Sequence, residues 1–335
     1  MSNSNLHSNS MNYVSQHSVI SFLKKLLQKR ETGVLFAVLV IGVFFSIVSP
    51  QFMNFSNIVN IMRQASVLGI MTLAVTFLMI SGEFDLSIGS TFANAPVIAV
   101  ELILKGFPIA FSFLIGFSTA VIFGLINGML VTKTKVPSFI VTVGTMMIYR
   151  SSALVISGGV AKRLGSVTVL TQIMGGGRVL NFIPVPIMWL ILITVLMWIV
   201  LHKTTFGFKV YTTGGNVKAA IMSGIKTDRI KIINFILTSA FSGLTGIIAF
   251  CYMGTTSFTM GIGYELEAIA STVIGGTALR GGIGSILGAF LGSFILTEIR
   301  NGLVINMVKA FYQNIIIGAV IIIAFIINIQ VTRAR

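Results

Sequence analysis

The sequence predicts an all-α, polytopic membrane protein with about ten transmembrane helices and both termini in the cytoplasm. Of its 335 residues, 55% are apolar and 9% are charged, and the mean hydropathy is +0.97. A soluble domain would carry about a quarter charged residues. Apolar runs long enough to cross a bilayer recur along the chain, and Lys and Arg concentrate in the connections assigned to one side. These observations place the chain in a lipid bilayer.

The excess of basic residues is also explained by a location in the membrane. A net charge of +15 would suggest nucleic-acid binding in a soluble protein. Here the basic residues lie in short connections between apolar runs, where they set the orientation, so we expect no nucleic-acid partner. The single cysteine, Cys251, excludes an intrachain disulfide, and His7, His17 and His202 are too scattered to form a metal site.

The predicted organisation is a cytoplasmic arm over 1–32, one transmembrane domain over 33–330 and a tail over 331–335. Candidate spans fall at 33–49, 66–81, 88–104, 108–131, 138–156, 185–201, 232–253, 266–279, 283–299 and 311–330. Residues 50–65 are amphipathic and predict a separate interfacial helix on the outer surface. The segment 157–184 would be a lid, a docking surface or a plain connection.

The longest polar interruption of the second half is the basic segment, residues 202–231. Its single acid is Asp228, and its basic residues are Lys203, Lys209, Lys218, Lys226, Arg229 and Lys231. This excess of positive charge predicts a cytoplasmic location. Asn216 is a candidate N-cap for a short helix that would end at Gly224. The helix would either dock a separate soluble protein or be a solvated connection that only sets topology.

Acidic residues are rare, since the chain has eight Asp and Glu in all. Glu83 and Asp85 lie between two apolar spans, and an acid at membrane depth is a functional-site hypothesis by default. The structural alternative is that Asp85 or Ser87 caps the following helix. Similarly, Glu265 and Glu267 would line a vestibule or mark the end of a helix. For Glu298, an ion pair with Arg300 is expected.

Small residues recur at helix-packing spacing. Gly124 and Gly128 form one GxxxG pair, and Gly284, Gly288 and Gly292 form a ridge. Such ridges allow close helix packing in lipid, either within one subunit or between two.

Catalytic and nucleotide-binding motifs are missing from the sequence. It has no GxxxxGKS or GxxxxGKT phosphate loop, and no HExxH, CxxC or GxSxG. A membrane-embedded enzyme is therefore disfavoured. A transporter without its own ATP-binding motif is either a stand-alone facilitator or channel, or is driven by a partner.

Four stretches carry a family resemblance. They are SGEFDLSIGS at 81–90, NGMLVTKTKVPSFIVTVGTMMIYRS at 127–151, TTFGFKVYTTGGNVKAAIMSGIKTDRIK at 204–231 and GYELEAIASTVIGGTALRGGIGSILGAFLG at 263–292. Together they resemble the permease subunit of ribose-type ABC sugar importers, a multi-pass protein of the bacterial inner membrane. In that family a small or apolar residue usually precedes the Asp-Leu-Ser triplet. The Glu83-Phe84 pair departs from this pattern and leaves the transported sugar open.

The resemblance implies specific partners and sites. It implies a second permease subunit, an extracytoplasmic sugar-binding protein and an ATP-binding cassette subunit that holds ATP and Mg, with no cofactor in this chain. It implies a coupling element seated on the ATPase, made of Gly214, Gly215, Asn216, Ala219, Ala220, Ser223 and Gly224. A path for a neutral pentose, hexose or related polyol needs hydroxyls, amides, acids and an aromatic wall. The candidates for this path are Glu83, Asp85, Ser87, Asn127 and Phe139, although Asn127 and Phe139 would equally be packing residues.

Overall fold

The computed structural model describes residues 30–163, 165 and 167–333. The predicted arm therefore lies outside the described residues except for 30–32, which begin the first helix. The helices are α1 (Arg30–Val48), α2 (Phe55–Ile80), α3 (Ile88–Leu104), α4 (Ile109–Thr134), α5 (Ser138–Ser157), α6 (Val169–Thr171), α7 (Val185–Lys203), α8 (Thr205–Gly215), α9 (Val217–Met222), α10 (Thr227–Met253), α11 (Tyr264–Ile274), α12 (Ile286–Ile305) and α13 (Ala310–Arg333). Helix α13 thus continues into the predicted tail.

Short strands and turns fill part of the connections. Strand β1 (Lys162–Arg163) pairs antiparallel with β4 (Thr255–Thr256), and β2 (Arg178–Val179) pairs with β3 (Ile183–Pro184). A 3-10 turn covers Pro50–Met53 and a π-helical turn covers Gln172–Gly176. The predicted all-α class is confirmed, because these strands are only two residues long.

The number of spans differs from the sequence-based count. Among the described residues, eight helices are long and apolar enough to cross a membrane. Helix α3 has 17 residues and falls just short of that length. The predicted span 266–279 is wrong as a full crossing. Helix α11 has 11 residues, a rise of about 16 Å against a hydrocarbon core of about 30 Å, and it ends at Gly275.

Helix α2 occupies the centre of the molecule. Its span is 78% buried, and it packs against α7, α10, α11 and α12. By contrast, the spans of α1 and α13 are only 11% and 6% buried, so these helices lie at the periphery. The part of α2 after Gln64 is mostly apolar and is enclosed by other helices, so it forms the core of the bundle.

The amphipathic stretch 50–65 is not a separate interfacial helix. The Asn54 side chain accepts a hydrogen bond from the Ser56 amide, at 3.3 Å, and helix α2 then runs without interruption to Ile80. The prediction was wrong because no proline follows Asn54 to stop the helix before the apolar span begins.

The glycine pairs make contacts within this subunit. A Cβ at Gly124 would overlap the backbone of Phe235 in α10, and one at Gly288 would overlap Gly275 at the end of α11. Close helix packing therefore explains both motifs. Part of the segment 157–184 also packs against the helices, since Gly175 lies against the carbonyl oxygen of Ile248.

Candidate transport and coupling sites

The connection between α2 and α3, residues 81–87, is a break in the helical structure that we call the helix break. Gly82 has a φ of +88°, a conformation that favours glycine. Asp85 accepts hydrogen bonds through Oδ1 from the Ser87 amide, at 2.8 Å, and from the Ser87 hydroxyl, at 2.7 Å. Asp85 thereby forms a turn just before helix α3. Ser87 is the N-cap residue of α3 but makes no side-chain capping bond, so neither residue caps the helix as the structural alternative expected.

The same carboxylate is the centre of a buried polar node. The Asn127 amide donates to Ser87 Oγ at 2.8 Å and lies 3.4 Å from both Asp85 oxygens. Ser239 donates to Asp85 Oδ2 at 3.5 Å, and the Tyr149 hydroxyl donates to Asn127 Oδ1 at 3.2 Å. We call these five residues the polar node. It ties the helix break to α4, α5 and α10.

The node is sealed from solvent. Asp85, Ser87, Asn127 and Ser239 are all 0% exposed, and within the described residues no cation pairs with Asp85. The structure therefore brings together Asp85, Ser87 and Asn127 from the predicted path, in an arrangement that is closed to solvent in this conformation. The sequence did not single out Tyr149 or Ser239, because single hydroxyl residues in apolar helices are common and carry no local signal.

The other two predicted path residues lie elsewhere. Glu83 forms an ion pair with Lys231 at the start of α10, with Nζ and Oε1 2.5 Å apart. Phe139 lies on α5 and is 60% exposed, next to Ile140, which is equally exposed. Neither residue joins the polar node.

A cavity of about 400 Å³ lies far from the basic segment, and we call it the Arg300 cavity. Arg63, on its wall, precedes the end of α2 by about 25 Å of helix. The Arg63 guanidinium lies 4.4 Å from the ring centroid of Tyr252, and Tyr264 packs edge-on against Phe92. Charged and aromatic groups thus share one concave surface.

The ion pair in this cavity corrects a prediction. Arg300 donates to Glu267 Oε1, not to Glu298. Side chains two positions apart on a helix point in different directions, so Glu298 and Arg300 do not meet. The vestibule expected from the sequence includes Glu267. Glu265 is not on its wall and instead accepts a hydrogen bond from the Gly263 amide, at 3.1 Å.

The basic segment folds into α8, α9 and the first turn of α10. Asn216 caps α9 as predicted, accepting a hydrogen bond from the Ala219 amide at 3.0 Å. Gly224 has a φ of +79° just after the helix end. Gly215, Asn216, Ala219 and Ser223 are exposed, whereas Gly214 is partly buried.

Ala220 differs from the expected docking face because it is 3% exposed and packs into its own subunit. The exposed surface of α9 is instead formed by large apolar side chains. Met222 is 89% exposed, and Ile221 and Val217 are exposed beside it. The resemblance placed Ala220 in the coupling element, but in the fold Ala220 faces the interior and its neighbour Ile221 faces the surface.

Comparisons of this chain with known proteins agree on one protein family. A family model described as a branched-chain amino acid transport system permease component matches residues 57–325. The chain is 36% identical to the ribose import permease protein RbsC of Bacillus subtilis (strain 168) over 299 residues, which are 89% of this chain and 92% of that protein. No solved structure gives a significant match.

Two further relatives match over similar lengths. The ribose import permease protein RbsC of Escherichia coli (strain K12) is 33% identical over 309 residues, 92% of this chain and 95% of the relative. The autoinducer 2 import system permease protein LsrC of Photorhabdus luminescens is 32% identical over 306 residues, 91% of this chain and 92% of the relative.

Proposed function

Because the chain belongs to the family of ribose-type ABC permease subunits, a multi-pass class of the bacterial inner membrane, we propose that it carries a sugar or related polyol into the cytoplasm. In this proposal a separate ATP-binding subunit drives transport, and an extracytoplasmic binding protein delivers the solute. Relatives named as ribose and autoinducer 2 import permeases support a small polyhydroxylated substrate.

The observation that carries the proposal is the exposed apolar end of α9. Met222 and Ile221 project from a capped helix between basic residues, outside any span. Exposed apolar side chains in a polar segment are typical of a protein interface. A groove of about 360 Å³ between α8 and α9, lined by Ala219, Ser223 and Phe208, adds a concave surface for a partner.

The Arg300 cavity is the proposed site where the solute is held at the opposite end. Its carboxylate and guanidinium groups offer acceptors and donors to hydroxyl groups, and Tyr252 and Tyr264 supply aromatic walls. In this proposal the solute leaves the cavity past the polar node, whose residues are buried in this conformation. Transport then requires the helix break to move.

The exposed apolar surface of α5 supports pairing with a second permease subunit. Phe139, Ile140, Met147 and Ile148 are all exposed on this helix. Such a surface faces either lipid or another subunit, so α5 is one candidate, beside α1, α7 and α13, for the contact with the second copy or paralogue.

Isolation of the complex tests this function. The tagged chain should co-purify from its native membrane with an ATP-binding subunit identified by mass spectrometry, and the binding protein should select a sugar from a panel by thermal shift. If the chain purifies without an ATPase from membranes that transport the solute, the facilitator alternative replaces the proposal.

The cavity has a test of its own. Glu267→Gln removes the negative charge paired with Arg300 and should raise the KM for uptake about tenfold, as loss of a charged hydrogen bond does. Glu298→Gln is the matched control, because Glu298 lies two residues from Arg300 but outside the cavity. Equal KM values for both variants would remove the cavity from the solute path.

A further inference from the structure

The helix break, together with Ile80 just before it, touches the basic segment at two separate places, through backbone and through charge. At the first place, the Gly282 amide donates to the Ile80 carbonyl at 2.8 Å. Gly214, at the end of α8, lies so close to the same carbonyl that a Cβ would overlap it. The Tyr211 hydroxyl donates to the Gly284 carbonyl at 2.7 Å. Burial and the negative charge of Glu31 raise the pKa of Tyr211 to about 12, so this hydroxyl keeps its proton.

The second place is the Glu83–Lys231 ion pair. Glu83 lies two residues before Asp85, and Lys231 is the last residue of the basic segment, near the start of α10. The side chains of Lys231 and Glu83 are only 18% and 13% exposed, so the pair is largely removed from water. A pair of this kind is hard to separate, because each charge would be left without solvent or partner.

The pair lies next to elements that hold the polar node. Helix α10 also supplies Ser239 to Asp85, and its Asn234 donates to the Phe77 carbonyl at 3.2 Å near the end of α2. A displacement of the start of α10 therefore acts on both sides of the helix break. Packed backbones and a desolvated ion pair transmit such a displacement with little loss, because protein interiors compress poorly.

Another ion pair at the same end provides a contrast. Lys135, at the end of α4, lies 3.2 Å from Asp228 in the first turn of α10, but these side chains are 69% and 57% exposed. Exposed pairs of this kind contribute little, because water and salt screen them. Among the described residues, two pairs thus join the start of α10 to α4 and to the helix break, and only the Glu83–Lys231 pair is shielded from water.

We propose that the Glu83–Lys231 pair is a strut that makes the helix break move together with the basic segment when the ATP-binding subunit acts on that segment. This inference rests on the proposed function and adds to it a pair of positioning residues. The strut also accounts for the departure from the family pattern at Glu83. Glu83, the additional acid, pairs with Lys231 instead of contacting the solute, so it does not determine which sugar is transported.

The test measures uptake and ATP hydrolysis separately in proteoliposomes that contain the purified complex. Glu83→Gln and Lys231→Met should each keep the ATP-binding subunit bound and hydrolysis within about twofold, while the amount of sugar moved per ATP falls about tenfold. The exchanged pair E83K/K231E should return that ratio to within about threefold of the wild type. Asp228→Asn, which breaks the exposed pair, should leave the ratio unchanged.

A double variant keeps the test decisive if a lone buried charge prevents folding. E83Q/K231M removes both charges, assembles without a stranded ion, and should still uncouple hydrolysis from uptake. A wild-type ratio in this double variant, or an exchanged pair no better than the single variants, overturns the strut. Absence of the ATP-binding subunit from the wild-type complex would instead contradict the proposed function.

Discussion

Single side chains decide how the helix break is held. Asp85 is fully buried and accepts hydrogen bonds from the backbone and side chain of Ser87 and from the Asn127 amide. Its position between two apolar spans was evident from the sequence, and so was the possibility that it starts a helix. Its partners Tyr149 and Ser239 were not predictable, because they come from helices distant in the chain and contact between helices leaves no local pattern.

The Asp85→Asn variant distinguishes two roles of Asp85, which either holds the helix break in place or contacts the solute. The new amide N–H group would face the N–H and O–H donors that bond the Asp85 carboxylate in the wild type. We therefore expect the free energy of unfolding to fall by about 1–3 kcal/mol. The purified variant should therefore show a lower Tm, with Ser239→Ala, which loses only one long contact, as the milder control. An unchanged Tm with abolished uptake would show that Asp85 contacts the solute instead.

At the scale of elements, the sequence predicted where helix α9 begins and ends, but it did not predict how the helices pack. Asn216 and Gly224 marked both ends of α9 in the sequence, since caps depend on neighbouring residues. The side of α9 that faces its own subunit depends on contacts with α8 and α10, so Ala220 was assigned to the wrong surface. Likewise, α11 looked like a full span because the apolar run continues past Gly275 to Leu279.

The exposed end of α9 carries the element-scale prediction. Met222→Asp places a charge in the proposed apolar interface and should remove most of the ATP-binding subunit from the purified complex. The permease itself should remain folded, because Met222 is 89% exposed. Co-purification of the ATP-binding subunit, quantified on gels, measures the effect.

Met307→Asp is the matched control for this variant. Met307 is 88% exposed but lies in the connection after α12, at the opposite end of that helix from the basic segment's contacts. Equal retention of the ATP-binding subunit by both variants would contradict docking at α9. Ala220→Trp is a poor probe, since a large side chain at this buried position would disturb the permease itself.

For the whole molecule, composition predicted the class and relatives established the family. The central position of α2 and the half-length of α11 required the structure, because both depend on which helices surround each apolar run. Helix α7 connects segment 158–184 to the basic segment, so these two regions lie at opposite ends of one span.

The orientation of these ends has a direct test. In a Cys251→Ala background, a cysteine replacing Arg178 should react with a membrane-impermeant thiol reagent in intact cells, and one replacing Lys226 should not. Both native residues are exposed, so access to the reagent depends on the side of the membrane alone. Permeabilised cells provide the control, in which both positions should label, and the reverse pattern in intact cells would invert the proposed topology.

The central claim is that this permease moves its solute only when a separate subunit hydrolyses ATP. It is tested most directly by uptake of the selected radiolabelled sugar into proteoliposomes holding the purified complex, with the binding protein outside and ATP inside. The account predicts accumulation above the external concentration with ATP and none with a non-hydrolysable analogue. Equilibration of the sugar by the permease alone, without ATP or partners, would contradict it.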